Sequence, residues 1–316
     1  MIYGGTDNTS KVVENLFLKS KLLEEGREDH EKIRPVLVVL GGGMMGACGS
    51  GSIIALNLLG LGKVFDNVIG VSSGAGVAAY FLSGLEQSFI CASIYYEDLP
   101  PRFIRFARRP VTDVDFVEEV LRNGKKKLNV QCVREARSNL FAVATNLEGY
   151  FPEFLDVKNA KPDTITALKA SVAIPGLYNK PVQVNNQFYI DGSIYPFPLK
   201  SVIDKFAPTD ILVIANCSYY QSRIGYASFT DRIVNFVFFR EVPSELKKLW
   251  LSRHERWEDG LRFLAALKGL NAGFLCTSNN ITPLTRNPRR IRQAVHNSVT
   301  ETLGIFGEAS KEFQLL

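Results

Sequence analysis

Histidine is scarce in this chain. His30, His254 and His296 are the only three in 316 residues. Their wide spacing makes no metal-ligand pattern and leaves few candidates for a histidine base. The five cysteines, Cys48, Cys91, Cys132, Cys217 and Cys276, are odd in number and form no C-x-x-C pair. That argues against a disulfide framework or a zinc site and fits a reducing compartment. A strong charge of either sign is also missing. The net charge of +5 suits an encounter with anionic lipid surfaces but is too weak to argue for nucleic acid. The N-terminal MIYGGTDNTSKVVENLF has no basic stretch followed by an apolar run, so no secretory signal is read and a cytoplasmic protein is expected. There is no internal repeat and no low-complexity linker.

What is present is a 46% hydrophobic, 22% charged composition, that of a globular chain with a sizeable core. Two spans, Pro35–Gly62 and Asn67–Leu85, carry no charge at all. A hydropathy window would flag both as membrane helices. Glycines break each one into a short β-branched run and a small-residue helix, so buried parallel strands are expected instead. Val36–Leu40 is the first strand, Gly41-Gly42-Gly43-Met44-Met45-Gly46 a turn, and a helix follows to about Leu61. Val68–Val71 is the second strand, with Ser72 at its end and Ser73-Gly74-Ala75-Gly76 opening a second helix.

Around this centre, residues 10–25 read as an amphipathic helix. Gln87–Leu99 is expected to be helix and loop, broken by Pro100-Pro101. Arg102–Arg109 interleaves aromatics with arginines and reads as a surface segment, with lipid headgroup contact as the functional option. A helix is expected at Phe116–Arg122, a strand at Asn139–Asn146 and strand edges within Glu148–Val157. A capped helix at Asp163–Ser171 comes next. Val182–Ile190 is a hairpin turning at Asn185-Asn186, and it delivers Asp191-Gly192-Ser193 at a strand end. Leu199–Lys205 is helical and Asp210–Asn216 is a further buried strand. Phe229–Glu241 reads as an apolar helix and Glu245–Leu270 as helical. Leu275 and Ile281 flank a loop or short strand. Pro288–Phe313 is a helix with a glycine interruption. Strands alternating with helices predict an α/β fold with a mainly parallel sheet in a single domain. Its core would span about 34–220, with a helical part at about 229–316 packed on it.

Three features carry chemistry. Gly70-Val71-Ser72-Ser73-Gly74 matches G-x-S-x-G, the pattern of a nucleophile elbow. Ser73 is the nearest rival nucleophile, one residue past the pattern's centre. The turn Gly41–Gly46 admits three readings. It is a dinucleotide cradle, an oxyanion hole with N–H groups near Gly42, Gly43 and Met44, or simply a tight turn. The cradle requires an acid at the end of the second strand, where Ser72 stands; Asp66 is at the wrong end. The oxyanion hole fits best. For a base, His254 and His296 lie in charged helical segments and read as surface residues, although a Ser-His-Asp triad stays open as an alternative. Asp191 ends a strand and is followed by glycine. To act as a base near neutral pH, it must be raised from its free value by burial.

The order GGGMMG, GVSSG and YIDGSIYPFPL, with Ala170-Ser171-Val172-Ala173-Ile174-Pro175 before the aspartate, resembles the patatin-like phospholipases. The match covers roughly Val36 to Asn216, with a looser likeness at Ile281-Thr282-Pro283. The resemblance implies a three-layer fold with a mainly parallel central sheet and a helical C-terminal region. It implies a lipid acyl hydrolase acting on phospholipid or lysophospholipid without cofactor or metal. Ser72 would be the nucleophile of a Ser–Asp dyad, Asp191 the base, and Gly42, Gly43 and Met44 the oxyanion turn. Peripheral membrane contact is part of the expectation. Two departures stand out. Met45 occupies a position where the family has arginine or lysine, and the aspartate motif reads Asp-Gly-Ser. Met45 motivates the alternative of a catalytically weak or inactive lipid- or partner-binding protein.

Overall fold

The computed structural model describes residues 9–105, 110–178, 180–216, 242–266, 269–277 and 280–314. Both uncharged spans fold as strand, turn and helix, and no helix among the described residues is long and apolar enough to cross a membrane. The strands are β1 (Pro35–Val39), β2 (Asn67–Val71), β3 (Asn139–Asn146), β4 (Pro152–Asp156), β5 (Val182–Val184), β6 (Gln187–Asp191), β7 (Asp210–Ile214) and β8 (Asn271–Leu275). They form one mixed sheet. Strands β3, β2, β1, β7 and β8 lie side by side in parallel, while β4 and β6 run antiparallel to β3, and β5 antiparallel to β6.

The register along β3 decides where the site forms. On one edge β2 pairs with residues 139–143, and β4 takes the other edge over 141–145. Strand β6 pairs with Ala144–Asn146, which lie beyond the end of β2. Since β4 already fills the far edge at Ala144 and Thr145, β6 continues the β2 edge from the opposite direction. Its last residue, Asp191, therefore arrives beside the end of β2.

The helices are α1 (Thr9–Glu24), α2 (Gly46–Leu58), α3 (Ser73–Leu82), α4 (Leu85–Ser93), α5 (Leu99–Arg102), α6 (Val114–Arg122), α7 (Val130–Glu135), α8 (Thr164–Ser171), α9 (Leu199–Phe206), α10 (Ser244–Leu251), α11 (Arg253–Ala266) and α12 (Pro288–Gln314). Side chains alternate across β1. Leu37 and Val39 join a core built with α1, α2, α3, α8 and α12, while Val36, Val38 and Leu40 join a second core with α9 and α11. This is a three-layer arrangement, as a parallel sheet with both faces covered requires. Asp163, Asp113 and Asn129 cap α8, α6 and α7 by accepting from backbone N–H groups in the first turn.

Several expectations need correcting. Residues 85–102 contain no loop: α4 runs through a single π-turn at Ile94–Asp98 into α5, whose first turn takes Pro100 and Pro101. The strand near Leu275 ends there and does not begin there. Its segment, NAGFL, lacks β-branched residues and is a strand through its pairing with β7. Helix α12 is continuous through Gly304 and Gly307. Each glycine costs about 1 kcal/mol against alanine. The buried face of Ile291, Ala294, Val295, Ser298, Thr302 and Phe306 offsets that cost. In the arginine-rich segment, Arg102 lies over the Phe116 ring at 3.9 Å and Arg105 pairs with Asp113 at 2.8 Å. Its residues 106–109 and the Phe229–Glu241 segment lie outside the described residues.

Candidate active site

Ser72 links β2 directly to α3. Its backbone sits at φ 52°, ψ −128°, a conformation a residue with a side chain adopts only under constraint. The constraint comes from close packing on both sides. At Gly74 a side chain would put its Cβ 2.2 Å from the Val39 carbonyl oxygen, and at Gly70 the same distance from Ala75 Cα. Only glycine allows α3 to start this close to β1. The elbow is further pinned by Ser171 at the end of α8. The Ser72 N–H donates to Ser171 Oγ at 2.9 Å, and Ser171 Oγ donates to the Val143 carbonyl at 2.6 Å.

Asp191 meets this serine 119 positions downstream. Ser72 Oγ donates to Asp191 Oδ2 at 2.9 Å. The other carboxylate oxygen, Oδ1, accepts from the Ser193 N–H at 2.6 Å. The Asp191 carbonyl accepts from Thr145 Oγ1, and its N–H donates to the Ala173 carbonyl. Gly192 allows the approach, since a Cβ there would fall 2.1 Å from the Val143 carbonyl oxygen.

The glycine turn after β1 lies against the same serine. A Cβ on Gly41 would be 2.8 Å from Ser72 Cβ. Gly43 has φ +56°, and a Cβ there would meet the Pro283 carbonyl oxygen at 2.9 Å. That carbonyl also accepts the Met44 N–H at 3.2 Å. Of the three donors expected from the sequence, Met44 is thus already engaged, which leaves the N–H groups of Gly42 and Gly43 as the open pair.

The model of the patatin-like phospholipase family matches residues 37–203. This chain belongs to that family. No curated protein sequence matches it significantly. Among solved structures it is similar to VipD from Legionella pneumophila, at 14% identity and a TM-score of 0.43, covering 87% of this chain and 67% of that one. The mixed sheet flanked by helices is the patatin fold.

The electrostatics of this patatin-like site raise the proton affinity of its carboxylate. Asp191 is fully buried, and burial pushes its carboxyl up from 3.8 to about 6, against the opposing pull of the Ser193 and Ser72 hydrogen bonds and the Arg253 charge. A carboxylate in that range can accept a proton near neutral pH. The N-terminus of α3 adds a partial positive charge at the serine.

The other sequence candidates fall elsewhere. Ser73 sits with the Tyr95 hydroxyl against Gly46, not with the carboxylate. His254 turns its Nδ1 to the Leu251 carbonyl at 2.8 Å, and His296 is exposed on α12. Asp66 pairs with Lys19 and Arg137, at 2.6 and 2.9 Å, and serves the opposite end of the sheet. Among the described residues no group of three or more His, Cys, Asp or Glu converges as a metal site would need. Met45 is half-buried, with its Cε and Cβ facing Gly42.

From Ser72 a pocket of about 810 Å³, counting its open mouth, runs between α3, the π-turn, α6 and α8. Its walls are largely apolar, including Leu99, Val114, Leu121, Ile165 and Leu168. Walls of this character suit an apolar ligand. Sequence reasoning missed the parts played by Ser171 and Pro283. Both lie in stretches carrying the family resemblance, but their hydrogen bonds to the elbow and the glycine turn become visible only in three dimensions.

Proposed function

We propose that this patatin-like protein is a serine lipid acyl hydrolase that cleaves carboxylic esters of phospholipid or lysophospholipid at a Ser72–Asp191 dyad. The observation that carries this reading is the 2.9 Å hydrogen bond to a fully buried carboxylate from Ser72 Oγ, in the wall of an apolar pocket.

In this reading Asp191 Oδ2 takes the Ser72 proton as Oγ bonds to the ester carbon. The carbonyl oxygen becomes an oxyanion facing the N–H groups of Gly42 and Gly43, a contribution of several kcal/mol. Collapse breaks the bond to the leaving alcohol, which carries away the proton from Asp191, and leaves the acyl group on Ser72. Water then attacks, giving its proton to Asp191, and the second collapse returns that proton to Ser72 Oγ and frees the fatty acid. The steps use protein groups and water. The basic surface, with net charge +5, favours peripheral contact with anionic membranes.

The test is turnover of a fluorogenic short-chain ester and of a lysophospholipid by the wild type, Ser72→Ala, Asp191→Asn and the double variant His254→Ala/His296→Ala. The expected result is loss of turnover by at least about 1,000-fold in the first two variants and little change in the third. Full activity in Asp191→Asn, or a folded double histidine variant without activity, overturns the dyad. An absence of both turnover and fluorophosphonate labelling at Ser72 overturns the enzyme reading in favour of a lipid-binding one.

A further inference from the structure

The glycines of the elbow divide into two kinds. Gly70 and Gly74 are required, because any Cβ there collides with backbone. Gly76 is different. It lies one turn into α3, has no positive φ, and a Cβ built on it would have nothing within 4 Å. Glycine inside a helix costs about 1 kcal/mol against alanine, and no contact here explains the expense. The empty space beside it belongs to the pocket. Ser73, Gly76, Val77 and Tyr80 form the α3 side of the wall, with Val117 and Leu168 also lining the cavity.

The dimensions follow from helix geometry. From Ser72 to Tyr80 the backbone rises about 12 Å, and Gly76 stands about 6 Å along that path. An extended alkyl chain advances about 1.3 Å per carbon, so a chain of about nine carbons reaches Tyr80 and passes Gly76 at about its fifth. Tyr80 is buried and tethered, its hydroxyl donating to the Lys126 carbonyl at 2.7 Å. It is the furthest α3 residue from Ser72 that lines the cavity.

Resting on the acyl hydrolase reading, we propose that Gly76 is a specificity-determining residue. By leaving α3 bare one turn beyond the nucleophile, it admits a medium-length acyl chain of about eight to ten carbons along the helix, and this chain length is the one selected. A bulky side chain at position 76 would project into the path of the substrate and disfavour chains longer than about four carbons.

The experiment compares kcat/KM for p-nitrophenyl acetate, butyrate, octanoate and laurate in the wild type, Gly76→Ala and Gly76→Leu. The wild type is expected to peak at octanoate. The octanoate-to-acetate ratio should fall about threefold in Gly76→Ala and at least about 30-fold in Gly76→Leu. Gly76→Ala should also melt higher than the wild type, because it gains helix propensity with no clash. Ratios within twofold of wild type in both variants overturn the proposal while leaving the hydrolase reading intact. If the wild type turns over no ester and takes no fluorophosphonate label, the hydrolase reading is the one that fails. The role of Gly76 is then decided by the thermal shift with decanoic acid. A shift present in the wild type and lost in Gly76→Leu supports the assignment, and an equal shift in both overturns it.

Discussion

Replacing Asp191 with asparagine should abolish turnover and stabilise the fold at the same time. The carboxyl is fully buried and is held at about 6 in place of 3.8, with burial the largest cause. Between those values the folded chain binds the proton more tightly than the unfolded chain does. The stability linked to Asp191 is therefore complete below about pH 3.8 and is lost as pH rises through about 6. At pH 8 the ionised group costs the fold about 3 kcal/mol relative to a neutral group of the same shape. Asparagine preserves both hydrogen bonds. Its Oδ1 can accept from the Ser193 N–H as the carboxylate does, and its Nδ2 can donate to Ser72 Oγ, which then accepts. Urea unfolding of Asp191→Asn and wild type at pH 8 and pH 4 checks the argument. The variant should be more stable by up to about 3 kcal/mol at pH 8, shrinking to under about 1 kcal/mol at pH 4. The same carboxyl predicts an acid limb near pH 6 in the wild-type kcat/KM profile, with activity rising as Asp191 ionises. A variant that is destabilised at pH 8, or a gain in stability of the same size at both pH values, refutes the reasoning.

Three further outcomes are expected. Ser171→Ala removes the acceptor for the Ser72 N–H and the donor to the Val143 carbonyl; it should lower stability by about 1–3 kcal/mol and turnover by at least about tenfold, read by urea melts and ester kinetics. Met45→Arg places a cation beside the glycine turn, and kcat should rise several-fold; an unchanged or lower kcat shows that Met45 does not limit the rate. Asp66→Ala strips the fully buried Lys19 ammonium of its carboxylate partner, leaving the Ile33 carbonyl. This should cost about 3 kcal/mol, much of it recovered in Lys19→Met/Asp66→Ala, as measured by denaturation midpoint.

Local pattern was enough for much of the scaffold. An uncharged β-branched run followed by a glycine turn and a small-residue helix reads as β1 and α2, and again as β2 and α3, because each step has its own backbone signature. The hairpin at Asn185-Asn186 was equally visible, both residues having the positive φ that asparagine tolerates. Strand β8 escaped, since NAGFL has little strand propensity and owes its conformation to β7. The π-turn at Ile94–Asp98 escaped too, although it helps place Tyr95 in the pocket wall. The engagement of Met44 by Pro283 was beyond any pattern, as 239 positions separate the two and one hydrogen bond joins them.

By itself the sequence determined the chemistry on offer: a serine on an elbow, an aspartate at a strand end, a glycine turn and histidines in charged helical segments. Each is a local property, set by which residues can occupy a tight turn or end a strand. The tertiary structure alone decided which of these groups meet. Ser72 and Asp191 come together because β6 takes up the edge of β3 where β2 stops, and Gly192 lets it come close enough. Tertiary burial also decided the state of the meeting. A carboxylate written in a sequence is an ordinary acid, and only its removal from water raises its affinity for a proton.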